Sequence, residues 1–385
     1  MYLNKKCVII GFIFCLYSFA LESRPLHVLF VVSYFPAPSQ TYILNMMTGL
    51  IDRDHKVTIF AFRKNNVEGH PNIEKYSLLN SVIYEKFPKN LPECDIVFCQ
   101  SASLGKMIVE NNALTPWLDT KKIVVCLRGF DITGNNIRNN PLIYETLFKR
   151  ADAFLPVCKY FKDLAIRLGC PAEKIIVHHS AINCEQFFFR ERKYTPGRKI
   201  QFVSVCRLIQ KKGLNFAIEA IARINKRYKN IHYTIVGSGH LQSSLRKLAK
   251  KLKILNKVTF FGWAEQDQVV NILDRSHIFL LPSITSKNGD EEGIANALKE
   301  AMAKGLIPVS TTHAGTPELI TEGVSGYLVP EKSAKKLAKK IEYIIEHPEL
   351  WRSISLAARK KIEDEFETVK SITELEGIFY GLLPI

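Results

Sequence analysis

The chain has 385 residues, 47% of them hydrophobic and 23% charged, which is enough apolar content for sizeable cores and too much length for one ordinary domain. A formal charge of +16 calls for anionic partners, yet the lysines are spread over amphipathic segments such as "RKLAKKLKILNK" and "EKSAKKLAKK" without interleaved aromatics; this excludes a nucleic-acid-binding stripe and favours an anionic membrane surface. Nine cysteines with no C-x-x-C pair argue against a full disulfide framework and a zinc site, and read as buried thiols of a reduced compartment.

In chain order, residues 1–23 come first. "MYLNKK", the apolar run Cys7 to Leu21 and the small-residue site "SFA" have the three parts of a secretory signal, but a run of about 15 residues is short for a spanning helix, which needs roughly 20. From Pro25 onward, short continuous apolar runs follow one another: "HVLFVVS" (27–33), "KVTIFAF" (56–62), "DIVFCQ" (95–100), "KIVVCL" (122–127), "AFLPV" (153–157) and "KIIVH" (174–178). Such runs suit strands buried on both faces of a parallel sheet. "RERKYTPGRK", charged and broken by Pro196 and Gly197, reads as a linker. The pattern then restarts with "IQFVSV" (200–205), "HYTIVG" (232–237), "VTFFG" (258–262), "HIFLLP" (277–282) and "LIPVS" (306–310). Leu241, Leu245, Leu248, Ala249 and Leu252 recur at helical spacing between the second and third of these. The expected fold class is α/β, two Rossmann-like doubly wound domains facing across a cleft, with ligands at the carboxyl ends of the strands.

Chemistry concentrates in the second half. Arg207 follows the strand "QFVSV", and Lys212 precedes Gly213, which opens a helix. A guanidinium and an ammonium converging there would neutralise a departing diphosphate; the alternative is a solvated loop. In "NGDEEGIANALKEAMAKG" the acids Asp290, Glu291 and Glu292 precede an expected helix beginning near Gly293, with Glu300 inside it. One reading is simply acids at the positive end of a helix dipole. The other joins the free amides of Gly293, Ile294 and Ala295 to the dipole as an anion site, with two carboxylates about 12 Å apart that grip different groups of one ligand. A nucleotide sugar has that layout. "IVGSGHLQ" follows a strand, but Gln242 stands at the third glycine position of a dinucleotide fingerprint, so it reads as a sheet-to-helix turn. In "GTPE", Thr316 is the expected cap and Pro317 the first helical residue. His178 and His179 read as turn residues, since no carboxylate or cysteine ligand set accompanies them.

Taken in order, strand-R-x4-K-G, E-E-G-x6-E, "STTHAGTPELI" and "GVSGYLVP" resemble the carboxyl half of glycosyltransferase family 4, the retaining GT-B enzymes that use nucleotide sugars. "FPAPSQTYILNMMTGLIDRDHKVTIF" and "LRGFDIT" are similar to the amino half of its colanic acid and exopolysaccharide branch. The resemblance implies an acceptor-side domain over 24–189, a linker over 190–198, a nucleotide-sugar domain over 199–365, and a terminal helix over 366–385 that returns to the first domain. It assigns Arg207 and Lys212 to the diphosphate, Glu300 to the ribose hydroxyls, and Glu292 to hydroxyls of the donor sugar. The amides of Gly293, Ile294 and Ala295 fall on phosphate; Ser39 and Gln40 lie in a loop under the donor, and Arg128 and Asp131 at an "HGxD"-type strand end.

This chain has Arg128 where the family has histidine, which suits phosphate or an acidic sugar, and Cys206 where the family has a glycine. The resemblance further implies no cofactor and no metal, a UDP- or GDP-sugar donor, and a lipid-linked or oligosaccharide acceptor. Since nucleotide sugars are cytosolic, the expected location is cytoplasmic and peripheral to the inner membrane, with residues 1–23 an anchor or a misassigned start; a cleaved signal, and with it export, is the alternative the segment leaves open. Two other readings are a noncatalytic glycan- or nucleotide-binding relative and an oxidoreductase resting on "GSG".

Overall fold

The computed structural model describes residues 24–36, 41–65, 70–85 and 91–384. Two parallel sheets organise them. The first contains β1 (His27–Val32), β2 (Lys56–Ala61), β3 (Val82–Tyr84), β4 (Ile96–Cys99), β5 (Lys122–Leu127) and β6 (Ala153–Pro156) in the order β3-β2-β1-β4-β5-β6. The second contains β7 (Ile200–Val205), β8 (Ile231–Val236), β9 (Val258–Gly262), β10 (Ile278–Leu281), β11 (Ile307–Thr311) and β12 (Tyr327–Val329) in the order β12-β11-β10-β7-β8-β9. Helices cover both faces, so the central strands are buried: Val28, Leu29, Phe30 and Val31 expose nothing to solvent. Strand order reverses at β1/β4 in one sheet and at β7/β10 in the other, and the crevices above these switch points are where ligands bind in such folds.

Two strands escape the sequence pattern. β3 and β12 are three-residue edge strands, too short to show a period. One expected strand is absent: "KIIVH" makes a single bridge from Ile175 to Phe154, with Ile176 N bonded to the Phe154 carbonyl and His178 N to the Pro156 carbonyl. It lies beyond the outermost strand, where Ile175 and His178 are buried but Ile176 is exposed, so it lacks the two covered faces of a central strand. The helix Gln242–Lys251 buries Leu245 and Ala249 against the second sheet. At "GTPE" the cap is Gly315, and Thr316 is already the first helical residue.

The chain passes between the sheets twice. Residues 190–198 contain no helix or strand. After the helix Trp351–Glu365 the chain returns: Ile182 N donates to the Phe366 carbonyl at 3.0 Å and Thr368 N to the Ile182 carbonyl at 3.1 Å, so the two crossings run side by side. The last helix, Thr368–Leu382, is capped by Glu367 and buries Ile372, Leu375 and Phe379 with Val28 and Phe30 of β1. Phe379 meets Phe98 of β4 edge to face at 5.3 Å.

Candidate active site

The loops at the ends of β7 and β10 build the charged wall. Beyond β7 the chain runs through Arg207 into one 3-10 turn, Gln210–Lys212, and Gly213 starts the helix Leu214–Ile224. Gly213 has φ +61°, and a Cβ there would lie 1.9 Å from the Pro282 carbonyl oxygen, so only glycine lets this turn press on the end of β10. That approach delivers two lysines to the acidic loop. Lys211 Nζ donates to Asp290 Oδ1 at 2.9 Å and to the Glu291 carbonyl at 3.1 Å, and Lys212 Nζ donates to Glu292 Oε2. Arg138, from the first domain, donates to Glu291 Oε2 at 2.7 Å. Each of the three consecutive acids has its own cation. Both lysines are buried, which removes the solvated-loop alternative for them.

Burial by itself would raise the Glu292 carboxyl, but Lys212 and then Lys211 outweigh it and hold it at about 2. The Glu292 amide donates to His313 Nε2 at 2.9 Å, which fixes the loop from beneath. The following helix spans Asn296–Ala303 and starts later than the expected Gly293, with Ala295 an extended cap residue. The chain bends at Gly293 and Ile294, and a Cβ at Gly293 would lie 2.9 Å from Val157 and 3.0 Å from Phe161, so the first domain packs closely on the segment ahead of the helix. The amides of Gly293, Ile294 and Ala295 find no acceptor among the described residues, so the tip of the helix presents three open donors.

Glu300 and Lys299 sit side by side further along this helix, and both are buried. The Glu300 carboxylate has no hydrogen-bond or ion-pair partner among the described residues; burial pushes it up to about 7, against the pull of Lys299. Burial pushes Lys299 down, with Glu300 opposing. Lys299 Nζ donates to the Ser180 carbonyl and, at 3.1 Å, to Asn296 Oδ1, and lies 5.2 Å from the Phe366 ring.

Across the cleft, Arg128 at the end of β5 stacks on Tyr42 at 4.5 Å and donates to Gln100 Oε1 at 2.8 Å and Ser180 Oγ at 3.2 Å. Its Nε is buried and has no partner among the described residues.

A cavity of about 400 Å³ lies between these walls. Arg128, Arg207, Lys212, Glu292, Gly293, Ile294, Ala295 and Glu300 all line it. Asp131 does not: its carboxylate accepts from the amides of Ala102 at 2.9 Å, Gly129 at 2.8 Å and Arg128 at 3.3 Å, so it shapes the β5 turn. Ser39 and Gln40 lie outside the described residues. Trp263, Ser180 and Tyr42 also line the cavity and were not singled out from sequence; Trp263 directly follows β9, and the rule that ligands bind at the carboxyl ends of strands pointed to it. Gly237 and Ser238 line it too, where the "GSG" turn hugs the β7 end through Leu208 N to the Ser238 carbonyl at 2.8 Å. His178 is pushed down to about 4 by burial and bonds to the Ser371 carbonyl, while His179 faces Glu318. Among the described residues no group of three His, Cys, Asp or Glu side chains could hold a metal ion, and no helix is long and apolar enough to cross a membrane.

Comparison with known proteins bears on the family and the fold. Residues 185–361 match the family described as glycosyl transferases group 1. The chain is 31% identical to WcaL of Salmonella typhimurium, named for colanic acid biosynthesis glycosyl transfer, over 88% of this chain and 95% of that one. It is 32% identical to the amylovoran biosynthesis glycosyltransferase AmsK of Erwinia amylovora, over 92% and 99%. In fold it is similar to a glycosyltransferase from Rickettsia africae, with TM-score 0.75 and 18% identity over 94% of this chain and 99% of that one. It is also similar to Anabaena HepE in complex with UDP-glucose, with TM-score 0.74 and 17% identity over 92% and 100%. These solved folds are GT-B folds, as the paired Rossmann-like sheets are here.

Proposed function

The chain belongs to the group 1 glycosyltransferases, and from that premise we propose that it moves a sugar, with retention of anomeric configuration, from a nucleotide diphosphate sugar to a lipid-linked glycan of a surface polysaccharide. The observation that carries this reading is the cavity wall: Arg207, Lys212 and three open amides line it with a carboxylate, Glu300, that has no hydrogen-bond or ion-pair partner among the described residues. Arg207 and the Gly293 to Ala295 amides take the diphosphate, whose charge grows as the sugar leaves. Glu300 accepts from the ribose hydroxyls. Glu292, ionised and held by Lys212, faces the sugar and steadies its hydroxyls, while the paired lysine adds positive field toward the phosphate.

An acceptor hydroxyl attacks from the face the diphosphate leaves, through an oxocarbenium-like centre, and the departing diphosphate takes its proton. The cations and helix amides serve in place of a divalent ion. Uridine nucleotides suit the site because HepE, of the same fold, is known in complex with UDP-glucose. Arg128, which among the described residues has no carboxylate ion pair, faces the acceptor side of the cleft, and the +16 charge draws the enzyme to an anionic membrane on the cytoplasmic side.

The test is incubation of purified protein with radiolabelled UDP- and GDP-sugars, following hydrolysis and transfer to extracted glycolipid. Glu292→Gln and Arg207→Ala are expected to lose roughly a hundredfold or more in turnover, the scale on which removing one preorganised charge contact acts. Wild-type turnover in either variant overturns its assigned role.

A further inference from the structure

The loop that carries Glu292 is fastened to the first domain. Downstream of β5 come two short helices, Phe130–Thr133 and Asn135–Arg138. Asn135 N donates to the Asn288 carbonyl at 2.9 Å and Asn135 Nδ2 to the Lys287 carbonyl at 3.1 Å. The Glu291 amide donates to Thr133 Oγ1 at 3.2 Å, and Arg138 pairs with the Glu291 carboxylate. Tyr160, also of the first domain, has its phenol pushed up by burial and by a bond to Glu291. Gly289 has φ +81°, and a Cβ there would sit 2.3 Å from Asn135 Oδ1, so the loop is pressed on that helix as closely as a backbone can be. From its own domain the loop is held by Lys211 and by Thr285 Oγ1, which donates to Glu291 Oε1 at 3.2 Å. Glu292 and the open amides of Gly293 to Ala295 are the very next residues.

We infer that Arg138, with Asn135 and Thr133, is a positioning residue for the transfer reaction: the first domain sets the loop that carries Glu292 and the 293–295 amides, so the donor seat is complete only when the cleft is closed on it. This rests on the reading of the cavity as the donor site. The pairing suits a closure that must also open. The Glu291 side chain is 6% exposed and that of Arg138 33%, so removing the arginine strands a buried carboxylate, whereas opening the cleft returns both groups to water. Fastening and release of this kind set the pace of many enzymes that close over a donor. Two of the three acids in "GDEEG" serve as latch and framework, and the third faces the ligand.

The test compares wild type with Arg138→Met, Asn135→Ala and Arg138→Lys, each first shown to be folded by circular dichroism. With UDP-glucose, or the UDP- or GDP-sugar that turns over fastest, Arg138→Met is expected to raise the donor KM at least about fivefold, the low end of site-to-site coupling, with a smaller change in kcat. Arg138→Lys recovers part of the loss, and the double variant Arg138→Met/Glu291→Gln is no worse than the poorer single, as for two residues acting through one contact. Small-angle scattering of the ligand-free protein gives a larger radius of gyration for Arg138→Met. An unchanged donor KM in Arg138→Met overturns the positioning role. If wild-type protein uses no nucleotide sugar, the donor reading fails instead, and the scattering arm still decides the latch, an unchanged radius overturning it.

Discussion

Glu300 and Lys299 are adjacent in sequence yet serve different partners, because successive helical residues project about 100° apart. Lys299 reaches back to the Ser180 carbonyl and Glu300 faces the cavity. Burial pushes the Glu300 carboxyl up to about 7, so between its ordinary value of 4.5 and about 7 the folded chain holds the extra proton and stability falls as pH rises. Under the proposed donor role function runs the other way, because the ionised form would accept from two ribose hydroxyls at once. The KM for a UDP-sugar is expected to improve as pH rises through about 7, and Glu300→Gln to remove that limb and raise KM roughly tenfold or more at pH 8, the scale of a buried hydrogen bond to a charged group. Steady-state kinetics from pH 5.5 to 8.5 checks both, and an unchanged limb in the variant would show that another group titrates. Glu300 and Glu292 were legible from their spacing only together with the ordered motifs that resemble the family, since the stretch alone also reads as acids at the start of a helix. The destination of Asp131 was not, because its three backbone donors include Ala102, far away in sequence on a neighbouring turn.

At the scale of elements, the runs that became central strands were readable because a parallel strand covered on both faces must be apolar continuously. Element ends were less readable. The helix after Glu292 starts at Asn296, behind a bend at Gly293 and Ile294 that packs on Val157 and Phe161 of the other domain, a contact invisible to local periodicity. The turn between β7 and the helix Leu214–Ile224 depends on one backbone approach, that of Gly213 to Pro282. Gly213→Ala places a methyl group inside the Pro282 carbonyl contact at a left-handed φ, and is expected to cost at least about 2 kcal/mol. Urea denaturation measures the loss, and donor binding falls with it, because Lys212 is the preceding residue. A variant as stable as wild type would mean that the turn can shift away from β10 without cost.

At the scale of the whole molecule, the terminal helix Thr368–Leu382 joins residues nearest the chain end to the first strand. Glu376 receives Arg53 at 2.6 Å and His55 at 2.8 Å, and Phe379 is fully buried against Phe98. Phe379→Ala is expected to cost about 3–5 kcal/mol, read by equilibrium denaturation; a loss below 1 kcal/mol would mean that the helix contributes little to the first domain. By itself the sequence determined the two successive βα arrays, the family, and the cations and carboxylates of the site, because each of these is written in local periodicity or in short ordered motifs. Only the tertiary structure decided which acid of Asp290, Glu291 and Glu292 takes which cation, that Asp131 turns inward, and that Arg138 reaches across the cleft. Those outcomes depend on distances between residues far apart in the chain, and local pattern carries no information about such distances until two sheets, and the crossings between them, have brought their loops face to face.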